Sequence, residues 1–314
     1  EYNPAAVFLY GDPARFPSLE EKQKLIKALR GQSESNPALY EIAGARAAPA
    51  HPVFFTTDLK TTIEEILAAN TATPSLKRLL LESMRGSPLA EELGSFLIDL
   101  FEKPEHAWIV RDRAAAAIPC DRTTELGDAL STVAAEGNDD AERLVAGVIK
   151  ARAQNLPAQA LANALIAFAA SANISSFPYH LRLAFRNARL PVAPFARLLD
   201  ALADEMAARS RNRADRHSDD PLQILSSFQI AVFRSYLEAD GVIDTDRIWT
   251  WLRHATQSDL HDRETLDFLE KFFANRPEDR RALQTRALSD REFADSVGIS
   301  VRHWIPHVLT FLNL

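Results

Sequence analysis

The sequence predicts an all-α protein, and three observations carry that prediction. Ten glycines in 314 residues amount to about 3%, well under the roughly 7% of an average chain, and Ala and Leu are abundant. Apolar residues recur at three- and four-residue spacing between recognisable helix starts and stops. The links between these segments are mostly two to eight residues long, as between antiparallel helix neighbours. Only Val53-Phe54-Phe55 has even a weak strand pattern.

The elements follow in order. Ser18-Leu19-Glu20-Glu21 is a capping-box pattern that opens a helix to about Arg30. Residues 31–57 are poorly periodic and rich in Pro and Ala, which predicts mostly loop. Asp58 is placed to cap a helix to about Asn70, with Ile63, Ile66 and Leu67 on one face. Pro74 sits where a first-turn proline is tolerated and starts a helix to about Arg85. Ser87-Pro88 repeats that start, and one amphipathic helix is expected from Pro88 to Glu102. After a break at Lys103-Pro104-Glu105 comes an Ala-rich helix, Trp108 to Ile118. Helices are then expected at about 123–136, 139–153 and 157–170, with Gly137 as a stop and Asn138 as a cap. Segments at about 178–188 and 192–208 follow. Pro221 to Glu238 is apolar nearly all round, so that helix must be covered on several sides, and Gly241 marks its stop. Further helices fit 244–256, 260–275 and 278–288, and a last one begins near Ser300.

Some fourteen helices with short links leave two architectures, an α-solenoid of stacked, irregular helix pairs or one large helical bundle. The solenoid is favoured because stacking pairs scales easily with length. The expected organisation is an N-terminal helix and loop segment at 1–57, helix pairs at 58–172, and further stacked helices or a helical subdomain at 173–314.

Within Trp108 to Ile118, Ala114 and Ala117 at three-residue spacing give a thin face that lets a partner helix approach closely. Arg111, early in the helix, is placed to pair with an acidic group of its own or a neighbouring unit; Asp112 lies beside it. The residues Val110, Arg111, Ala114, Ala117 and Ile118 resemble the second helix of a HEAT-type repeat, which often reads Val-Arg-x-x-Ala-x-x-Ala-Leu. A weaker echo without the arginine lies at Ala158, Leu161, Ala162 and Leu165. The strong resemblance spans one unit and shows no regular period. The wider layout is similar to the helical region downstream of the nucleotide-binding module in large bacterial STAND-type (NACHT-like) ATPases. Gly11-Asp12-Pro13, the Ser-Leu-Glu-Glu helix start, and Glu102 to Arg111 carry that similarity. It implies a sensor or interaction region of a defence protein, binding the rest of its own chain or a foreign (phage) protein. The diagnostic phosphate loop of that family is absent, so ATP hydrolysis is not carried over.

Bulk properties narrow the function further. A formal net charge of −7 disfavours a general nucleic-acid binder. A single cysteine, Cys120, excludes an internal disulfide, and with no signal-peptide pattern it favours a cytoplasmic setting. No run of about 18 apolar residues is present, so no transmembrane helix is expected. The chain begins at Glu1 and stops inside the apolar run Val308 to Leu314, as expected of an internal piece of a longer protein.

Few residues suggest chemistry. His303 and His307 are four apart, but Trp304 stands where a metalloprotease helix needs Glu. His254, Asp259, His261, Asp262 and Glu264 could ligate zinc or manganese, or could simply mark a helix start rich in acidic residues. Cys120 lacks the surroundings of a nucleophile and is expected to be buried or idle. Trp249 and Trp251 are two apart and point to different sides of their helix, so at least one is expected at the surface. Arg209, Arg211, Arg213 and Arg216 form a loop cluster able to clamp phosphate or carboxylate, and this is the expected partner contact. The expectation is a non-catalytic protein-binding scaffold without cofactor or metal. A helical metal-dependent enzyme domain, or nucleic-acid binding through Arg209 to Arg216, is the alternative.

Overall fold

The computed structural model describes residues 3–11, 15–36, 50–172, 178–188, 190–211, 220–255 and 263–290. Among these there are sixteen α-helices and no strand. The chain is all-α, and it divides into two compact units, residues 1–129 and 130–314.

The first unit contains α1 (Pro4–Tyr10), α2 (Leu19–Ser35), α3 (Lys60–Ala68), α4 (Pro74–Ser83), α5 (Pro88–Glu92), α6 (Gly94–Glu102), α7 (Trp108–Ala117) and the start of α8 (Thr123–Ala134). Its helix starts match the capping signals. Ser18 and Glu21 form a reciprocal capping box at α2, Thr73 Oγ1 accepts from the Leu76 N–H at α4, and Ser87 Oγ from the Ala90 N–H at α5. Asp58 does not cap α3. Its carboxylate takes the Thr56 hydroxyl instead, and a 3₁₀ turn at Thr57–Leu59 leads into the helix.

The single helix expected over 88–102 is two. The backbone bends at Leu93 (φ −88°, ψ 6°), and a Cβ at Gly94 would meet the Arg122 side chain, which crosses there. Val53 and Phe54 lie in a turn with Phe55 just after it, not in a strand. Phe54 and Phe55 are apolar because they pack edge-on against Phe8 of α1, with ring centroids 5.6 and 6.1 Å away.

In α7, Val110, Arg111, Ala114, Ala117 and Ile118 are all buried, and the thin alanine face packs against α4 and α6. The Arg111 guanidinium reaches helix-end carbonyls. Its Nε donates to the Phe101 carbonyl at 2.8 Å and its Nη2 to the Glu102 carbonyl at 3.3 Å. A cation there also meets the negative end of the α6 dipole. Asp112, the neighbour of Arg111 in sequence, faces Arg113 at 3.2 Å.

The second unit holds α9 (Asp139–Arg152), α10 (Ala158–Ser171), α11 (Tyr179–Asn187), α12 (Val192–Arg211), α13 (Asp220–Glu238), α14 (Thr245–Leu252), α15 (Arg263–Ala274) and α16 (Pro277–Ser289). Asn138 caps α9 through the Ala141 N–H, and Gly137 before it has φ +64°, the left-handed conformation that glycine adopts without strain. At the end of α13 the positive φ falls on Asp240, at 59°.

Helix α13 is the centre of this unit. It packs against α10, α11, α12, α14 and α15, and every residue from Ile224 to Leu237 is buried. That is the covering its all-round apolar sequence requires, and within this unit the arrangement is that of a bundle around a central helix. Burying each large apolar side chain is worth about 1.5–3 kcal/mol. Polar residues inside α13 act as stitches. Gln229 Nε2 donates to the carbonyls of Leu199 on α12 and Trp251 on α14, both at 3.2 Å. Ser235 Oγ donates to the Phe185 carbonyl on α11 at 3.2 Å.

Trp249 and Trp251 are both buried, at 1% and 0% exposure, which corrects the expectation of a surface tryptophan. They do point to different sides of α14, but α14 lies against α12, α13 and α16. Trp249 Nε1 donates to Asp290 at 2.8 Å and Trp251 Nε1 to Asp200 at 2.7 Å.

Candidate anion-binding cleft

The residues expected to form a partner contact are only partly described. Arg209 and Arg211 end α12. Arg209 pairs with Glu205 of its own helix at 2.7 Å, and Arg211 Nε reaches the Ala207 carbonyl at 3.4 Å. Arg213 and Arg216 lie outside the described residues. Both described arginines are thus used along their own helix, where cations favour the C-terminal end.

Of the His/acid group, His254 is half-buried just beyond α14, whereas Asp259, His261 and Asp262 lie outside the described residues, as do His303 and His307. Glu264 is engaged by arginine, as described below. Among the described residues no three His, Cys, Asp or Glu side chains group to hold a metal ion. Cys120, expected to be buried or idle, is exposed.

A different arginine cluster is built inside the second unit. Tyr179, Arg182, Leu183 and Arg186 of α11, Ala231 and Arg234 of α13, and Glu264 and Thr265 of α15 line one cleft of about 170 Å³. Spacings of three, four and seven on α11 bring its four residues to one helix face. Leu181 and Phe185, on the other side, are buried.

Two anchors hold α11 in place. At its start, the buried Glu142 of α9 accepts from the N–H groups of His180 at 2.5 Å and Leu181 at 3.1 Å. Burial pushes the Glu142 carboxyl above its ordinary range, opposed by those two hydrogen bonds. Near its end, the Phe185 carbonyl receives Ser235. Arg182 and Arg186 are therefore fixed relative to Arg234, which immediately precedes Ser235 in the central helix.

Arg182 and Arg234 are 4% and 7% exposed. Burying a guanidinium is costly unless oxygen atoms surround it. Arg234 Nε donates to Glu238 at 2.9 Å and Nη1 to Thr265 Oγ1 at 3.4 Å, and its guanidinium lies 4.9 Å from the centroid of the Phe268 ring. Arg186 grips Glu264 with both terminal nitrogens; the Nη1–Oε2 contact is 2.7 Å and Nη2 meets Oε1. Arg234 Nη2 stands 3.7 Å from the same Oε1, beyond hydrogen-bonding distance. The Glu264 side chain is 61% exposed, so the carboxylate enters the cleft from the solvent side.

This is the donor arrangement that recognises oxyanions: a planar fork, two further guanidiniums and a hydroxyl on neighbouring walls. The sequence reading passed over Arg182, Arg186 and Arg234. One signal was available, because Arg234 is the lone charged residue within the otherwise apolar or uncharged run Leu222 to Leu237.

No helix among the described residues is long and apolar enough to cross a membrane. Comparison with protein-family models, curated proteins and solved structures finds no match to the chain.

Proposed function

We propose that the chain is a non-catalytic helical scaffold that recognises a protein partner and acts as a sensor or interaction region of a larger, STAND-type defence or signalling ATPase. The observation that carries this reading is the cleft of Arg182, Arg186 and Arg234, where an exposed carboxylate is already held in an arginine fork. An acidic side chain of a partner fits the same place. The Ala-faced helix α7 and its resemblance to a HEAT-type unit support the scaffold half of the reading, since such units present surfaces rather than reactive centres.

The test is a calorimetric titration of the full chain with a short poly-glutamate peptide, beside single-stranded DNA of equal charge. Saturable peptide binding, lost in Arg186→Ala and weakened by salt, is the expected result. Binding there would run against the overall charge of −7 and so would mark a local site. Preference for the DNA, or peptide binding untouched by Arg186→Ala, would overturn the reading.

A further inference from the structure

We propose that the arginine cleft takes a phosphoryl group carried by a phosphorylated side chain of the partner, and that Glu264 is a built-in stand-in which that group displaces. This rests on the reading above, that the cleft is a recognition site, and names the chemistry it selects.

The geometry points past a carboxylate. Both oxygens of Glu264 are engaged by the single fork of Arg186. A planar carboxylate so placed leaves Arg234 Nη2 at 3.7 Å, out of hydrogen-bonding reach. A phosphoryl group has three terminal oxygens in a tetrahedral array. Two satisfy the Arg186 fork, and the third projects toward the wall formed by Arg234 and Thr265, which are already 3.4 Å apart. Arg182 completes the lining. Guanidiniums from two different helices then converge on one group, which a phosphoryl dianion tolerates and a monoanion does not fully use.

Glu264 is suited to leave. It sits in the first turn of α15 and is mostly exposed, so it can rotate into water at little cost. Arg182 and Arg234 are buried on helices in the body of the unit and cannot follow it. Tyr179, half exposed at 54%, stands on the rim and offers a flat wall to whatever carries the phosphoryl group. That favours a group attached to a side chain over a free ion.

The test titrates the full chain with phenyl phosphate, benzoate and inorganic phosphate. Phenyl phosphate is expected to bind at least about tenfold more tightly than benzoate, the equivalent of one additional charge-assisted hydrogen bond. Glu264→Gln removes the competing charge at nearly constant size and is expected to tighten phenyl phosphate. Arg186→Lys, which loses the planar fork, is expected to weaken it by about tenfold. Equal binding of benzoate, or no gain in Glu264→Gln, overturns the proposal while leaving an acidic-peptide site intact. Tighter binding of inorganic phosphate than of phenyl phosphate overturns the attached-group assignment. If poly-glutamate and all three probes fail to bind, it is the recognition reading itself that falls.

Discussion

Replacing Arg111 tests how α6 and α7 are joined. Its guanidinium, 2% exposed, closes the C-terminal turn of α6 through the carbonyls of Phe101 and Glu102. Arg111→Met keeps most of the aliphatic stem and removes the donors. The 2.8 Å bond to Phe101 is buried and charge-assisted, a class worth about 1.5–3 kcal/mol. The second bond, 3.3 Å and part-buried, adds less, about 0.5–1 kcal/mol. Loss of a cation at the helix C-terminus adds up to about 1 kcal/mol. Relief of the desolvation of a buried cation offsets part of this. The net expectation is a loss of about 3 kcal/mol, with Arg111→Lys recovering part of it because an ammonium offers a point charge rather than a fork. Urea denaturation followed by circular dichroism gives the magnitude. Amide exchange at the end of α6 places the effect. Asp112→Asn is the control and is expected to cost less than about 1 kcal/mol. A loss below about 1 kcal/mol in Arg111→Met, or an equal loss in Asp112→Asn, would refute carbonyl capping as the role of Arg111.

Two further predictions concern the second unit. Gly137→Ala places a Cβ at φ +64° and 2.5 Å from the Ser171 carbonyl carbon. Left-handed strain of about 1 kcal/mol plus a forced backbone shift should cost about 2–4 kcal/mol, read as a lowered thermal midpoint; an unchanged midpoint would contradict the close approach. Glu142→Gln tests a pH dependence. The folded carboxyl is raised above its ordinary 4.5 by burial, so its contribution is fully present below pH 4.5 and is lost as pH rises through the folded value. The Gln variant keeps an acceptor for His180 and Leu181 and should gain stability relative to the parent as pH climbs from 4.5 toward neutrality. Urea melts at several pH values check this, and a flat or opposite trend would contradict it.

Helix positions were legible in the sequence because their signals are local. Capping residues such as Ser18, Thr73, Ser87 and Asn138 act on N–H groups three residues away, and the period of apolar residues reports one face of one helix. Even the burial of α13 was legible, since a helix apolar on all sides has no other stable place. Failures arose where the partner is distant in sequence. At the break between α5 and α6, Arg122 fills the space that a side chain at Gly94 would need. Trp249 and Trp251 are buried because α12 and α16 arrive from elsewhere in the chain. Phe54 and Phe55 are apolar for the sake of Phe8, not of a sheet.

The cleft shows the same division. Spacing places Arg182 and Arg186 on one face of α11, and Arg234 is the one charge in an otherwise uncharged stretch of α13, but neither signal by itself marks a site. That Arg186 and Arg234 meet around Glu264, with Arg182 lining the same cleft, was decided by tertiary packing, through Glu142 pinning the start of α11 and Ser235 tying α13 to its end. Helix formation is governed by contacts a few residues apart, which a sequence displays. Convergence of charges from residues 182, 234 and 264 depends on how three helices pack, and packing is a property of the folded unit.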